Sequence, residues 1–286
     1  MPRLAIIAHQ ASDTNLRLLD AARALAVDAV LLSPAEGRRW LRPGDTALAR
    51  IDVLSTLTGP EPGLGDVSAL ERMGVTVLNP AGALLGAHDK LATALRLAAR
   101  RLPHPRTVHV GGDVDPGLRY PVVVKPRFGS WGLDVHLCTD RHALDRRLRS
   151  LARREWFLRQ GALVQELVRP QGYDLRLVVS AGRVIGAIER VPAPGEWRTN
   201  ISLGGRRRPV DPPAAARLLA LEAADALGAD LVGVDLLPDQ AGGWTILELN
   251  GAVEFNHVYT LNGADPHEQT IRNLLGWPRA VDASVA

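Results

Sequence analysis

The 286-residue chain contains a single cysteine, Cys138. One cysteine excludes an internal disulfide and any zinc site built from cysteines, and Cys138 reads as a small hydrophobe in a strand. None of the eight histidines falls into HExxH or a paired metal spacing, so none is assigned a metal role. The chain has no run of about 18 apolar residues, and nothing in it predicts a membrane-spanning helix. Residues 1–8 lack the length and cleavage pattern of a signal peptide and read instead as a first buried strand, which predicts a soluble, cytoplasmic protein. The P-loop order GxxxxGK[ST] is also missing. A formal charge of +3 is too small to announce a nucleic-acid partner, although arginine greatly outnumbers lysine. That excess favours carboxylates and phosphates held by forked hydrogen bonds, but GC-rich coding bias explains it equally well.

The chain is 46% hydrophobic and long enough for two or three compact units sharing one site. Residues 3–8 and 28–32 read as strands around a helical pattern from Leu16 to Leu25. Strands at 51–56 and 75–79 continue the alternation and predict a parallel sheet covered on both faces. A loop spans 59–65, and apolar residues at helical spacing (Leu91, Ala94, Leu95, Ala98) run from His88 to Arg101, stopping before the prolines at 103 and 105. Beyond a linker come strands at 119–126 and 132–138, one basic helix over 140–159, and strands at 162–168, 174–180 and 183–189. An alanine-rich helix at 212–227 precedes two apolar strands, a last helix covers 265–275, and the tail after Pro278 is expected to be loose. The fold class predicted is α/β and multidomain (α+β). A parallel-sheet lobe covers 1–88, linker helices and a small sheet-plus-helix lobe cover 89–168, and a C-terminal lobe covers 169–286.

Asp235, Glu248 and Asn250 end the two late strands. Side chains alternate faces along a strand, so Glu248 and Asn250 point one way while Leu247 and Leu249 point into the protein. Two carboxylates and an amide oxygen suit Mg²⁺, which keeps some of its waters; polar strand ends facing water are the plainer reading. Lys125 ends a strand beside a turn carrying Gly129, Ser130, Trp131 and Gly132. A fixed ammonium and several backbone N–H groups can cradle phosphates there, unless this is an ordinary hairpin. Lys90 is a second phosphate candidate, or a solvated helix residue. The backbone from Glu166 through Leu167 and Val168 could offer an N–H and a C=O to an adenine edge, and Asp174 could accept from ribose or from a neighbouring cation; a solvated strand connection competes. Residues 197–208 read as a loop in which Arg198 could neutralise a transferred phosphoryl group and Arg206, Arg207 and Arg208 could hold a carboxylate. The arginines of 141–159 read chiefly as a solvated face, with an acidic partner as the minority reading.

In this order and spacing the constellation resembles the ATP-grasp ligases over nearly the whole chain. Within them, residues 89–93, 103–107, 121–126, 129–132 and 197–200 with Gly204 and Gly205 are similar to the RimK and LysX branch. The 129–132 and 197–200 elements lie closer to LysX, whose members join α-aminoadipate or glutamate to the terminal glutamate of a small acidic carrier protein. RimK-type relatives add glutamate to a ribosomal protein or a coenzyme. The resemblance implies an ATP-grasp fold of three lobes, ATP clasped between the middle and C-terminal lobes, and two Mg²⁺ ions, with Mn²⁺ as a substitute. It implies Lys125 and Arg198 as catalytic residues. Lys90, Lys125, Ser130, Trp131, Gly132, Glu166, Leu167, Val168, Asp174 and Arg198 would contact ATP, and Asp235, Glu248 and Asn250 the metal. Arg176, Asn200, Gly204, Gly205 and Glu254 would contact a carboxylate substrate and an amino acid, glutamate being the expected one. A dimer or tetramer is implied as well, with no nucleic acid or membrane partner. Residues 53–61 lack the cysteine- and arginine-containing pattern of carrier-protein ligases, and 251–257 follow theirs only in part, which leaves the acceptor open. A small-molecule kinase and a non-catalytic nucleotide-binding protein are the competing classes.

Overall fold

The structure is a computed structural model and describes residues 3–112 and 117–276. Leu4–Ile7 (β1) is buried along its whole length, as a central parallel strand requires. It pairs with β2 (Ala29–Leu32) and β3 (Thr46–Ala49), and β4 (Thr76–Leu78) completes an all-parallel sheet of order β2-β1-β3-β4. Helices α1 (Asp13–Ala24), α2 (Pro34–Trp40) and α3 (Leu64–Arg72) make the crossovers. Ser12 caps α1, and Ser33 with Glu36 forms a reciprocal capping box on α2. The third strand is not the predicted 51–56. Ala47, Leu48 and Ala49 supply the fully buried stretch, and the chain beyond Arg50 loops back, with the Leu54 N–H donating to the Gly59 carbonyl.

Helix α4 (Ala81–His88) was not predicted: it is nearly all apolar and buried around most of its circumference, so it has no amphipathic period to read. Asp89 then breaks the chain and caps α5 (Lys90–Ala99), accepting from the Leu91 and Ala92 N–H groups. The same carboxylate takes both arms of Arg127 at 2.5 and 2.7 Å, which pins the start of α5 to the middle lobe.

That lobe is an antiparallel sheet of order β5-β8-β6-β7, built from β5 (Thr107–Val110), β6 (Val122–Pro126), β7 (His136–Cys138) and β8 (Ala162–Glu166). Helices α6 (Arg141–Leu151) and α7 (Glu155–Gln160) cover one face, burying Leu144, Leu148, Trp156 and Phe157 against Val122, Val124 and Val164. The single helix predicted over 140–159 is thus two, because the chain bends at 152–154 to seat Trp156 and Phe157. The strand predicted at 132–138 shrinks to three residues. Positive φ at Gly132 and Asp134 is incompatible with extended backbone.

The last lobe is an antiparallel sheet of order β11-β10-β9-β12-β13, from β9 (Asp174–Ser180), β10 (Arg183–Val191), β11 (Arg206–Pro209), β12 (Leu231–Pro238) and β13 (Trp244–Asn250). Arg206, Arg207 and Arg208, expected in a loop, form its exposed edge strand. One face packs Leu175, Leu177, Val179, Val232 and Val234 under α8 (Ala214–Leu227). The other face, with α9 (Pro266–Leu274), shares a core with the first lobe, where Val178, Ile188 and Leu231 meet Leu4, Ile6, Leu18 and Leu19. The middle lobe keeps its own core, to which only Leu57 comes from the first lobe. The tail after Pro278 lies outside the described residues. Among the described residues no helix is long and apolar enough to cross a membrane.

Candidate active site

Register explains how distant residues meet. Asp235 on β12 lies opposite Arg176 on β9 and Glu248 on β13, while Asp174 lies opposite Arg190 on β10. Directly opposed residues share a face, so one end of the sheet carries Asp174, Arg176, Arg190, Asp235 and Glu248 together. Asn250 follows on the same face of β13, opposite Gly233. A bulge leaves Leu247 without a partner, since Asp235 pairs with Glu248 and Leu236 with Ile246. Leu247 therefore lines a cleft, contrary to the inward direction predicted for it, while Leu249 is buried as expected.

Two carboxylates and two guanidiniums balance in this buried patch. Arg176 grips Asp235 with both arms at 2.6 and 2.7 Å. Arg190 grips Asp174 at 2.8 and 2.5 Å and reaches Asp235 at 2.8 Å, and the Thr199 hydroxyl donates to Asp174 at 2.6 Å. Burial works against the Asp235 charge, but Arg176 and Arg190 outweigh it and hold the carboxyl well below its ordinary range. Of the two roles expected for Asp174, the structure gives the neighbouring cation; the carboxylate is fully buried and occupied, which removes the ribose contact.

Between this patch and the middle lobe lies a cleft of about 1000 Å³, counting its open mouth. It brings together Lys90, Lys125, Ser130, Gly132, Glu166, Leu167, Val168, Asp174, Arg198, Asn200, Asp235 and Glu248 from the predicted set. Lys90 and Lys125 are the only lysines in the chain. The Lys90 ammonium donates to the Gly129 carbonyl and stands 3.8 Å from Glu248. Lys125 is 5% exposed and donates to Gln165 at 2.8 Å. Burial pulls its pKa down to about 8, the Lys90 charge pulls the same way, and Glu248 opposes them.

The predicted hinge narrows to one donor. The Glu166 N–H is spent on the Arg106 carbonyl, the Leu167 N–H on the Pro121 carbonyl, and the Glu166 carboxylate on Arg119. The Val168 N–H has no partner among the described residues. Arg198 is clamped by Glu196, whose carboxyl it holds at a pKa of about 2, and donates to the Gly132 and Val135 carbonyls at 3.2 and 3.3 Å. Ser202 adds a bond to the Trp131 carbonyl at 2.8 Å, so the 196–203 loop is latched onto the glycine turn. Gly132 has φ +74°, and a Cβ there would lie 2.9 Å from the Asn200 amide oxygen.

Other predicted residues stand apart. Arg176 sits behind Asp235, and Trp131 and Glu254 line a neighbouring cleft. Gly204 and Gly205 shape the latch loop; a Cβ at Gly205 would meet the Thr199 carbonyl at 2.7 Å. Sequence reasoning missed Arg190 and Gln165, whose roles arise from cross-strand pairing, and Thr199, which the loop after β10 folds back onto Asp174. It also missed Tyr173, Leu237 and Leu247, which with Val123 and Leu133 give the cleft apolar walls.

Hard oxygen donors are present for a divalent cation. Among the described residues no group of three or more His, Cys, Asp or Glu could hold a metal, which leaves two carboxylates and an amide, a set suited to Mg²⁺ with retained waters. Among the described residues the Glu248 carboxylate makes only its long contact with Lys90. The buried side-chain nitrogen of Asn250 has no partner among the described residues, and amide orientation is an assignment that can be reversed to present oxygen. Asp235 accepts three N–H groups and keeps part of its lone-pair capacity. The donor set fits.

The model of the RimK-like ATP-grasp domain matches residues 104–274. A probable alpha-L-glutamate ligase of Thioalkalivibrio sulfidiphilus is 31% identical over 287 residues, covering 92% of this chain and 92% of that protein. Alpha-aminoadipate–LysW ligase LysX of Sulfolobus acidocaldarius is 30% identical over 206 residues, 70% of this chain and 74% of that one. Beta-citrylglutamate synthase B of Danio rerio is 32% identical over 248 residues, 82% of this chain, and the match spans only 60% of that longer protein. The crystal structure of a RimK domain protein from Sphaerobacter thermophilus has the same fold, with TM-score 0.69 and 22% identity over 96% of this chain and 100% of that one. With its family domain matched over more than half its length, this chain belongs to the RimK-like ATP-grasp family.

Proposed function

We propose that the chain is an ATP- and Mg²⁺-dependent ligase that joins a carboxylate to an amine. The observation carrying this reading is the meeting of both lysines with Asp235 and Glu248 in one cleft between two sheets. The adenine edge would bind at the Val168 N–H between the apolar walls, and the triphosphate would run toward Lys90, Lys125 and the glycine turn. Asp235, Glu248 and Asn250 would hold Mg²⁺, which when bound supplies charge neutralisation to the phosphates. A substrate carboxylate oxygen attacks the γ-phosphorus and ADP leaves, giving an acyl phosphate. The amine then attacks the acyl carbon, phosphate departs with the C–O bonding pair, and the amine proton is released. Lys90, Lys125 and Arg198 stabilise the charge that develops, and the cleft aligns the reactants. Glutamate as the amine is supported by the glutamate-ligase relatives, and an acidic carrier protein as the acid by the LysX-like elements at 129–132 and 197–200.

ADP release from ATP with a panel of carboxylates, and hydroxamate formation when hydroxylamine replaces the amine, tests the reading. ADP without hydroxamate over the full panel would indicate a kinase, and no turnover a nucleotide-binding protein. For Arg198→Ala we expect kcat to fall about 10²–10³-fold, the effect of losing one preorganised donor, with a smaller change in ATP affinity. A defect confined to KM would remove Arg198 from the transition state.

Lys125 gives ATP binding a pH signature. Its free pKa of about 8 lies where the ammonium is part-deprotonated, and a bound triphosphate favours the charged form. ATP binding therefore takes up a proton above about pH 8, and affinity falls as pH rises through that value. Calorimetry in buffers of different ionisation enthalpy reads this uptake directly, and in Lys125→Met it is expected to disappear.

A further inference from the structure

Thr107 on β5, Gln165 on β8 and Val123 on β6 lie directly opposite one another in register, and Lys125 follows two residues after Val123 on the same face of β6. Lys125 is therefore the diagonal neighbour of Gln165, within reach of a long side chain. Both are 5% exposed, and the Gln165 oxygen accepts from the Lys125 ammonium at 2.8 Å. Among the described residues Gln165 is the one acceptor bonded to that ammonium. An ammonium has three donors, so two remain for a ligand in the cleft. An amide can present either end, and here the choice is dictated from behind. The Thr107 hydroxyl donates its one hydrogen to the Pro105 carbonyl at 2.8 Å, and a carbonyl can only accept. The Thr107 oxygen is left to accept, which it does from the Gln165 side-chain nitrogen at 2.8 Å. The Gln165 oxygen is thereby turned to Lys125; the reversed amide would set N–H groups against an ammonium. A chain of three directed bonds thus runs from the backbone just before β5 to the tip of Lys125. The other charged or titratable neighbours of Lys125 are Lys90 of α5 and Glu248 of β13, which act on it through their fields, and His104, which lines the small cavity behind the lysines.

We infer that Gln165 is a positioning residue, which holds one N–H of the Lys125 ammonium so that the other two face the triphosphate, and that Thr107 sets which end of the amide does so. The inference rests on the nucleotide reading of the cleft and adds to it two side chains that act through Lys125. A buried lysine held at its tip by a fixed acceptor offers phosphate a donor already in place, whereas the same lysine without that acceptor must be ordered by the ligand at a cost in affinity.

A double-mutant cycle tests it, read as the affinity of the full chain for a non-hydrolysable ATP analogue with Mg²⁺ at neutral pH. Gln165→Met, which keeps the length and removes the acceptor, is expected to weaken binding about 10-fold, the effect of losing one hydrogen bond to a charged group. In a Lys125→Met background the same change is expected to alter affinity by no more than about 2-fold. Thr107→Val is expected to weaken binding less, because the amide then turns freely, and Thr107→Ser to bind as the wild type does. Losing an acceptor for the charged form lowers the Lys125 pKa, so in Gln165→Met the proton uptake on binding begins at lower pH than in the wild type, where a purely structural role would leave that onset unmoved. Should Gln165→Met fail to fold, the Thr107 pair carries the test. The inference is overturned if folded Gln165→Met or Thr107→Val binds as tightly as the wild type, or if the loss keeps its full size with Lys125 already removed, the mark of a direct ligand contact or a packing effect. A wild type that binds no ATP analogue would instead remove the nucleotide reading, and this inference with it.

Discussion

Glu248→Ala is expected to lower ATP turnover by at least about 10³-fold while the protein stays folded, the effect of deleting a group that anchors the charge-neutralising cation. Stability is spared because the side chain is partly exposed and its ion contact with Lys90, at 3.8 Å, is long. No buried partner is orphaned by the truncation. A second consequence follows from its charge: Glu248 is the group that supports the Lys125 ammonium against burial, so Lys125 deprotonates at lower pH in the variant. ADP formation, thermal melting and circular dichroism together check this. Wild-type turnover by a folded Glu248→Ala protein would strip the cluster of its cation role.

Arg190→Ala is expected to cost about 3–5 kcal/mol of stability, read as a fall in the denaturation midpoint with an unchanged denaturant slope. Arg190 is buried and, among the described residues, is the only guanidinium gripping Asp174, and it also holds one oxygen of Asp235. Removing it leaves Asp174 in the protein interior with the Thr199 hydroxyl as its remaining side-chain donor, whereas Asp235 keeps Arg176. Arg176→Ala is therefore the milder change, since Asp235 then retains Arg190. Equal destabilisation by the two variants would show that the four charges act as one unit rather than through Asp174.

Parts of this molecule declared themselves in the sequence because their physics is local. The alternation of β1, α1 and β2 is written in strand and helix periods, whereas the caps Asp89 and Asp140, equally local, went unused. Lys125, the glycine turn, Asp235 and Glu248 were legible because strand ends carrying charge are unusual. A further signal was present and unused: in a chain so rich in arginine, lysine occurs only twice, at the two positions that face the cleft. What was not legible depends on partners remote in the chain. The choice of 46–49 over 51–56 as the third strand is decided by which stretch is buried on both sides. The Leu247 bulge depends on β12 and β13 pairing out of step, and the hinge lost two donors to carbonyls at 106 and 121. Arg190 looked like any strand arginine until β9 and β10 set it opposite Asp174.

The separateness of the middle lobe's core bears on how products get out. Among the described residues only Leu57 joins that lobe's apolar core from outside it; Arg127 to Asp89, and Arg198 and Ser202 to the glycine turn, are polar ties. On the proposed ligase reading, swinging this jaw open to release product would break hydrogen bonds that water replaces and draw only Leu57 out of an apolar core, so salt and solvent polarity are expected to loosen that step.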